Sequence, residues 1–335
     1  MKILLLGTTG LLGHNVLRQL LYEGHEVVAL VRRPEKVLIH DQRVTIKEGN
    51  LDAKTITQAA WGCDAIINCA GVTDMSLLRY EEYLPINAAL TEVLIGVMKS
   101  HGIRILVHTS TANTIGYGTP ARLADERDEM AFPFDESYYA LSKKLGEEHL
   151  QKAAAENPDW HVVIVNPGFM IGDYDVRPSS GTLLLAGYRK PLMAAPGGGK
   201  SFVAARDAAT AIVNALTMGI SGERYLLTGT NLTLKEFYGL QARAMGYRQR
   251  TVVLPDPIVA IAGRVGDLVR RCGIRTQLST RNVRQLMVTE HYDNHKAVGE
   301  LKMPQTPIED AIRDFFGWWY NNNQNPTLSN KNRQS

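Results

Sequence analysis

Cysteine is scarce in this 335-residue chain: Cys63, Cys69 and Cys272 are the only three, and no two stand at a metal-ligand spacing. So sparse and odd a set excludes a disulfide framework or a thiolate metal cluster. It suits a reducing compartment in which all three are small apolar side chains. Charge of one sign is equally lacking. The 37 Lys and Arg residues face 34 Asp and Glu, a net charge of +3, too small a bias to argue for nucleic acid or a membrane as partner. Long hydrophobic runs are missing as well. No stretch approaches the roughly 18 apolar residues of a membrane span, and Ile3-Leu4-Leu5-Leu6 stops at Gly7, too soon for the core of a secretory signal. The expectation is a cytoplasmic protein. With 44% hydrophobic and 21% charged residues, the composition is that of a globular chain long enough for a large core with an attached lobe.

What is present is an alternation of strands and helices. Ile3–Leu6 reads as a strand covered on both faces, and it runs into Gly7-Thr8-Thr9-Gly10-Leu11-Leu12-Gly13. Helical spacing follows. A strand, a glycine turn and a helix N-terminus form a phosphate cradle, because side-chain-free backbone brings N–H groups and the helix dipole up to a pyrophosphate. The second strand, Glu26–Val31, ends in Arg32-Arg33 where an acidic residue would bind a ribose 2′-hydroxyl. Two guanidinium groups there suit the 2′-phosphate of NADP, Arg32 being the stronger candidate, or they are a solvated pair before Pro34; NAD stays possible. Leu51-Asp52 closes the next strand-loop unit. Asp52 accepts from an adenine amino group or caps the helix starting near Lys54.

Further strands follow at 65–71, 103–108 and 161–165. The small residues Ala70 and Gly71 leave room for a cofactor across a strand end. Asn87 opens the next helix as an N-cap or an inward polar anchor. The 103–108 strand delivers Thr109-Ser110-Thr111, hydroxyls that could hold a substrate oxygen or serve ordinary turn chemistry. This pattern predicts a doubly wound parallel α/β sheet formed by residues 1–168 and rejoined by 201–228. Residues 169–200 and 229–320 would then form a smaller, mostly helical substrate lobe. An apolar stripe at Ile258, Ile261, Ala262, Val265, Leu268 and Val269, with Arg264, Arg270 and Arg271 near it, reads as a lid or lobe helix in preference to a membrane-surface helix. The polar tail 321–335 reads as disordered.

Tyr139 and Lys143 stand four residues apart on one face of a helix. A phenol with an ordinary pKa near 10 becomes useful at neutral pH when a cation favours its anion, and Lys143 could supply that cation. Tyr138 has no such partner, since position 142 is serine.

Taken in order, Gly7-x-x-Gly10-x-x-Gly13, Asn68-Cys69-Ala70-Gly71, Asn87, Thr109-Ser110-Thr111, Tyr139-x-x-x-Lys143 and Asn166-Pro167-Gly168 resemble the extended short-chain dehydrogenase/reductase (NAD-dependent epimerase/dehydratase) family over about residues 1–320. Val31-Arg32-Arg33-Pro34 and Asn166–Gly172 look most like its dihydroflavonol reductase and 3β-hydroxysteroid dehydrogenase branch. The resemblance implies a Rossmann-like fold with Tyr139 as general acid or base and Lys143 orienting the cofactor ribose. Thr111 would align the substrate oxygen, with Ser110 competing for that role. It also implies a backbone cradle at Gly7, Thr9, Gly10, Leu11, Leu12 and Gly13, and cofactor contacts at Leu51, Ala70, Gly71, Asn87, Pro167, Gly168 and Met170. A homodimer through the helices at 87–98 and 139–150 is likewise implied.

The expected activity is hydride transfer between NADP(H) and a carbonyl or secondary alcohol. Thr73, Met75, Phe169, Tyr174, Leu184 and Met193 are the expected walls of a largely apolar pocket for a small molecule. No metal, nucleic acid or membrane is expected to take part. The alternatives are a nucleotide-sugar epimerase using bound NAD(P), and a catalytically silent NADP sensor. Thr111-Ala112-Asn113 lacks the acidic residues that follow the catalytic threonine in sugar dehydratases of the family, which argues against dehydration and leaves epimerisation open.

Overall fold

The computed structural model describes residues 1–176 and 178–323. Its centre is the strand β1 (Lys2–Leu6), in which Ile3, Leu4, Leu5 and Leu6 are all fully buried. Strand side chains alternate between faces, and this strand sends them into two different cores. Ile3 and Leu5 join one apolar cluster while Leu4 and Leu6 join the other. An uninterrupted apolar run is therefore what a sheet covered on both faces requires.

Seven parallel strands make that sheet. The chain passes from β1 through the helix α1 (Leu11–Tyr22) to β2 (Glu26–Val31) and β3 (Val44–Glu48), then through α2 (Ala53–Ala59) to β4 (Ala65–Asn68) on the other side of β1. From there α3 (Leu90–His101), β5 (Ile105–Thr109), α4 (Tyr138–Glu156) and β6 (His161–Pro167) extend it. The order reverses between β1 and β4. Such a switch point opens a crevice at the carboxyl ends of the strands, where doubly wound sheets take their ligands.

After Gly168 the chain builds a second unit. β7 (Phe169–Ile171), α5 (Gly181–Gly187), β8 (Leu192–Ala195), β9 (Gly199–Ala204) and α6 (Ala205–Asn214) precede the seventh core strand, β10 (Arg224–Leu227), which pairs with β6. Next come β11 (Thr230–Thr233), α7 (Leu234–Ala244), β12 (Arg250–Val253), α8 (Asp256–Arg271), α9 (Thr280–Arg284), α10 (His295–Glu300) and α11 (Ile308–Asn323). A three-stranded sheet, β11-β9-β7, packs with α5, α7 and α11 around Phe202, Phe237, Phe315 and Phe316. α7 starts at a capping box in which Thr233 and Glu236 satisfy each other's backbone N–H.

The division differs in detail from the sequence expectation. β9, which runs into the 201–228 segment, belongs to the lobe sheet, whereas Ala297, Leu301 and Met303 around α10 lie in the sheet core with α6. The reason is apolar: these three side chains are buried in one cluster with α6 and Tyr225 of β10. Of the expected tail, 321–323 continue α11, and 324–335 lie outside the described residues.

Two buried histidines tie the strand ends together. His108 on β5 takes a hydrogen bond from Asn68 Nδ2 (3.0 Å), and Asn68 Oδ1 accepts from the Ala70 N–H (3.0 Å). His14 on α1 bridges the Gly10 carbonyl (3.2 Å) and the Leu38 N–H (3.2 Å) through its two ring nitrogens, so it is neutral with the proton on Nδ1. Desolvation lowers both histidine pKa values from the ordinary 6.5, that of His108 steeply. A depressed histidine binds no proton in the folded state while the unfolded chain does, so stability falls as pH drops below about 6.5. Each histidine contributes a slope of up to about 1.4 kcal/mol per pH unit. Urea unfolding at pH 7.5 and 5.5 should show this loss, and His108→Asn should reduce it; an unchanged slope in the variant would contradict the assignment.

Candidate active site

The crevice at the switch point is lined first by the glycine turn. Gly7 takes φ +79°, and a Cβ there would meet Ala70 N and Cys69 C at 2.5 Å. One on Gly13 would overlap the Gly7 carbonyl oxygen. These two glycines let the turn, β4 and α1 close on each other. Gly10 plays a different part, since it is exposed, and a Cβ would find only the Gly7 oxygen, at 3.6 Å. As N-cap of the twelve-residue α1 it carries no side-chain cap, and no acidic residue stands in the first turn. Free N–H groups at a helix start, beside open space and without a competing anion, fit a dinucleotide pyrophosphate. Leu11 and Leu12 are buried beneath it, and Thr9 lies half-buried at the turn.

Across the crevice, α4 docks on the end of β5. The Nζ of the buried Lys143 donates to the carbonyl of Thr109 at 2.8 Å and lies against Gly71, where a Cβ would stand 3.0 Å from it. Burial depresses the lysine pKa to about 8, while Cys69 and Glu147 act to raise it. Asn87 ties the same corner. Its side chain accepts from the Val72 N–H (2.8 Å) and donates to the Val72 carbonyl (3.0 Å) and Ser142 Oγ (3.0 Å). It is the inward anchor, placed in a π-helical turn at Pro85–Ala89 ahead of α3.

Tyr139 projects from the first turn of α4, whose N-cap is Ser137. Burial raises its phenol pKa, and a hydrogen bond with the Thr111 side chain pulls the other way. The Lys143 ammonium is directed to the Thr109 carbonyl, and burial keeps the phenol pKa above its ordinary value. Between the two candidate hydroxyls, the partner of Tyr139 is Thr111. Ser110 Oγ is buried with no hydrogen-bond partner, while its N–H donates to Val165 O at 2.7 Å.

Behind Thr111 lies a group that Tyr-Lys spacing did not reveal. Glu147, one turn beyond Lys143, is fully buried; its Oε1 accepts from Thr114 Oγ1 (2.6 Å) and Asn166 Nδ2 (2.7 Å), and Oε2 faces Arg224 Nη1 at 3.7 Å. Asn166 Nδ2 also donates to the Thr111 carbonyl at 3.1 Å. A carboxylate in the apolar middle of α4 thus fixes the loop that carries Thr111. The i+4 spacing from Lys143 was the available signal.

Other expected residues divide. Arg32 and Arg33 are exposed at the end of β2 without an ion pair among the described residues. Asp52 is the cap of α2: Oδ1 accepts from Thr55 N–H (2.9 Å) and Oδ2 from Thr55 Oγ1 (3.0 Å). Leu51 packs on the core beside it. Pro167 ends β6, Gly168 passes so close to the Ser201 carbonyl that a Cβ would stand 2.6 Å from it, and Met170 in β7 packs on the core under the crevice. Of the pocket walls, Thr73 is exposed and Met75 half-buried near the mouth, where Arg270 and Asn282 donate to the Met75 carbonyl. Phe169 turns its edge to Phe202 at 5.3 Å. Leu184 is no wall, since it is fully buried inside the lobe core. Met193 also packs on that core, and Tyr174 stacks on His14 at 5.2 Å, against α1. Those assignments came from apolar character alone, which cannot distinguish a lobe core from a pocket lining. The neighbouring Tyr138 is covered by the Arg281 guanidinium of α9, 3.7 Å from its ring centre.

A glycine turn at a sheet switch point, facing a tyrosine, a lysine and a threonine hydroxyl, defines a nicotinamide-nucleotide enzyme. The model of the NAD dependent epimerase/dehydratase family matches residues 3–227, and the chain belongs to that family. It is an NAD(P)-dependent enzyme of the extended short-chain dehydrogenase/reductase type. Sterol demethylase protein B of Methylococcus capsulatus is 28% identical over 326 residues, 95% of this chain and 98% of the relative. A Synechocystis protein provisionally named dihydroflavonol 4-reductase is 27% identical over 325 residues, 94% and 93% of the two chains. The crystal structure of gox2253 shares the fold with a TM-score of 0.80 at 24% identity, covering 95% of this chain and 98% of that one.

Replacing Glu147 by alanine would strip the acceptor from Thr114 and Asn166 and leave Arg224 facing no carboxylate. The expected cost is about 2–4 kcal/mol of unfolding free energy. Urea titration of Glu147→Ala measures it, and a loss under about 0.5 kcal/mol would show that the network holds nothing in place.

Proposed function

We propose that this protein is an NADP(H)-dependent oxidoreductase that moves a hydride between the nicotinamide and a carbonyl or secondary alcohol of a small, largely apolar substrate. The observation that carries it is the Thr111–Tyr139 hydroxyl pair at the end of β5, with Lys143 set beside it against Gly71. The cofactor supplies the hydride acceptor or donor. Gly7, Gly10 and Gly13 admit its pyrophosphate, Ala70 and Gly71 leave room for its ribose, and Lys143 supplies the ammonium that would hold the ribose hydroxyls.

Tyr139 handles the proton. In the reducing direction its Oη gives a proton to the carbonyl oxygen as the carbon takes the hydride, and Thr111 donates a hydrogen bond to that same oxygen. Burial favours the neutral phenol, so the acid form needed for this direction is the one present at neutral pH. In the oxidising direction the same oxygen takes the proton from the alcohol.

Preference for NADP rests on Arg32 and Arg33, exposed at the end of β2 with no ion-pair partner among the described residues to compete with a 2′-phosphate. The apolar substrate class rests on Met75 and Phe169 near the crevice and on the names of the two relatives, a sterol demethylase protein and a dihydroflavonol reductase. Both names point to fused-ring molecules. Homodimerisation through α3 and α4, which pack side by side within the chain, belongs to the same reading as a family expectation.

The test is cofactor oxidation followed at the nicotinamide absorbance band, against steroid ketones, cyclic ketones and aromatic aldehydes, with Tyr139→Phe alongside. Turnover with NADPH over NADH, falling by about 10²–10⁴-fold in the variant, is expected. A folded Tyr139→Phe protein with full turnover would remove the acid-base role. No turnover on any member while cofactor stays bound would favour internal redox on a nucleotide sugar.

A further inference from the structure

α8 packs on α9 through Val259, Gly263 and Gly266: the Gly263 position abuts Val283 and Thr280, and the Gly266 position abuts the Leu278 backbone. The opposite side of the helix is apolar and uncovered. Ile258, Ile261, Val265 and Leu268 fall at intervals of three, four and three residues, which makes one stripe, and they are 52–63% exposed. Arg264 and Arg271 stand three residues beyond Ile261 and Leu268, so they flank the stripe. Both are exposed and without an ion pair among the described residues.

Charge in this region is strongly one-sided. Residues 248–286 hold eight arginines and two aspartates, a net +6 within a chain of net +3, so the remainder of the protein is net −3. One of the two acids, Asp267, accepts from the Thr280 N–H at 3.0 Å inside the hairpin. The polar chain beyond the described residues, 324–335, has Leu328 as its sole aliphatic side chain and offers nothing to cover four aliphatic residues.

We propose that the outward face of α8 docks on an anionic phospholipid bilayer, its aliphatic stripe entering the headgroup boundary while Arg264 and Arg271 meet lipid phosphates. An amphipathic helix with arginines beside an apolar face has the chemistry of an interfacial helix. The hairpin also reaches the mouth of the crevice. Arg270 donates to the carbonyls of Met75 (3.0 Å) and Leu77 (2.8 Å), and Arg281 covers Tyr138. Arg270 makes these contacts from the packed side of α8, which leaves the opposite, outward stripe free for the bilayer; the docking does not depend on the proposed substrate class.

The experiment is co-sedimentation of the full chain with phosphatidylcholine vesicles, with and without about one-third phosphatidylglycerol, requiring no turnover. The protein should pellet with the anionic vesicles and be released by salt. Ile261→Asp/Leu268→Asp and Arg264→Glu/Arg271→Glu should each lower binding at least tenfold while melting like the wild type. These side chains lie outside the apolar core, and the charge-reversal pair keeps the test open should the aspartate variant misfold. Equal sedimentation of the folded variants, or none of the wild type, would overturn the proposal. So would a change of oligomeric mass in Ile261→Asp/Leu268→Asp without vesicle binding by the wild type, which would make the stripe an interface between copies.

Discussion

The hydrogen bond from Lys143 Nζ to the Thr109 carbonyl is the contact on which the rest of the site depends. An ammonium buried beside β5 is costly unless hydrogen-bonded, and here it joins the first turns of α4 to the end of a core strand. That single docking sets the depth of α4. Tyr139, four residues earlier, meets Thr111, and Glu147, four residues later, meets Thr114 and Asn166. Three side chains one turn apart thus read three positions of the same strand-end loop. Asn87 closes the arrangement from the other side by gripping Ser142 and the backbone of Val72. The candidate cofactor crevice and the Thr111–Tyr139 hydroxyl pair are fixed by the same helix.

Much of this was legible in the sequence because it rests on local patterns. β1 could be recognised since every residue from Ile3 to Leu6 must be apolar to feed two cores. The glycine turn was legible because close backbone approach admits no side chain at Gly7 or Gly13. Tyr139 was separable from Tyr138 by spacing, and the structure gives Tyr138 to Arg281. What stayed open were choices that differ by one residue or by one long-range contact. Ser110 and Thr111 are both hydroxyls on one loop, and only the seating of α4 distinguishes them. Asp52 could cap or bind, and Thr55 takes both of its oxygens. The pocket walls failed for a different reason. Leu184 and Tyr174 were placed by apolarity, but their neighbours, the lobe core and His14, are far away in sequence.

The lobe and the sheet have opposite electrostatic character. The arginine-rich hairpin of α8 and α9 leans on the 75–82 loop and on Tyr138, with Arg275 paired to Glu82 and Arg284 to Glu136. These are exposed ion pairs, each worth little at physiological salt. Arg270 and Asn282 add half-buried hydrogen bonds to the Met75 and Leu77 carbonyls, and the hairpin's own two helices interlock at Gly263 and Gly266. The outward apolar face of α8 is left exposed by these contacts.

In the proposed reaction Thr111, and not Ser110, shares the reacting oxygen with Tyr139. Single-turnover oxidation of bound NADPH by a ketone substrate, compared across wild type, Thr111→Val and Ser110→Ala, tests it most directly. Thr111→Val is expected to slow hydride transfer by about 10²–10³-fold, as loss of one aligned donor does, while Ser110→Ala stays within a few-fold of wild type. A slow Ser110→Ala with a fast Thr111→Val would contradict it.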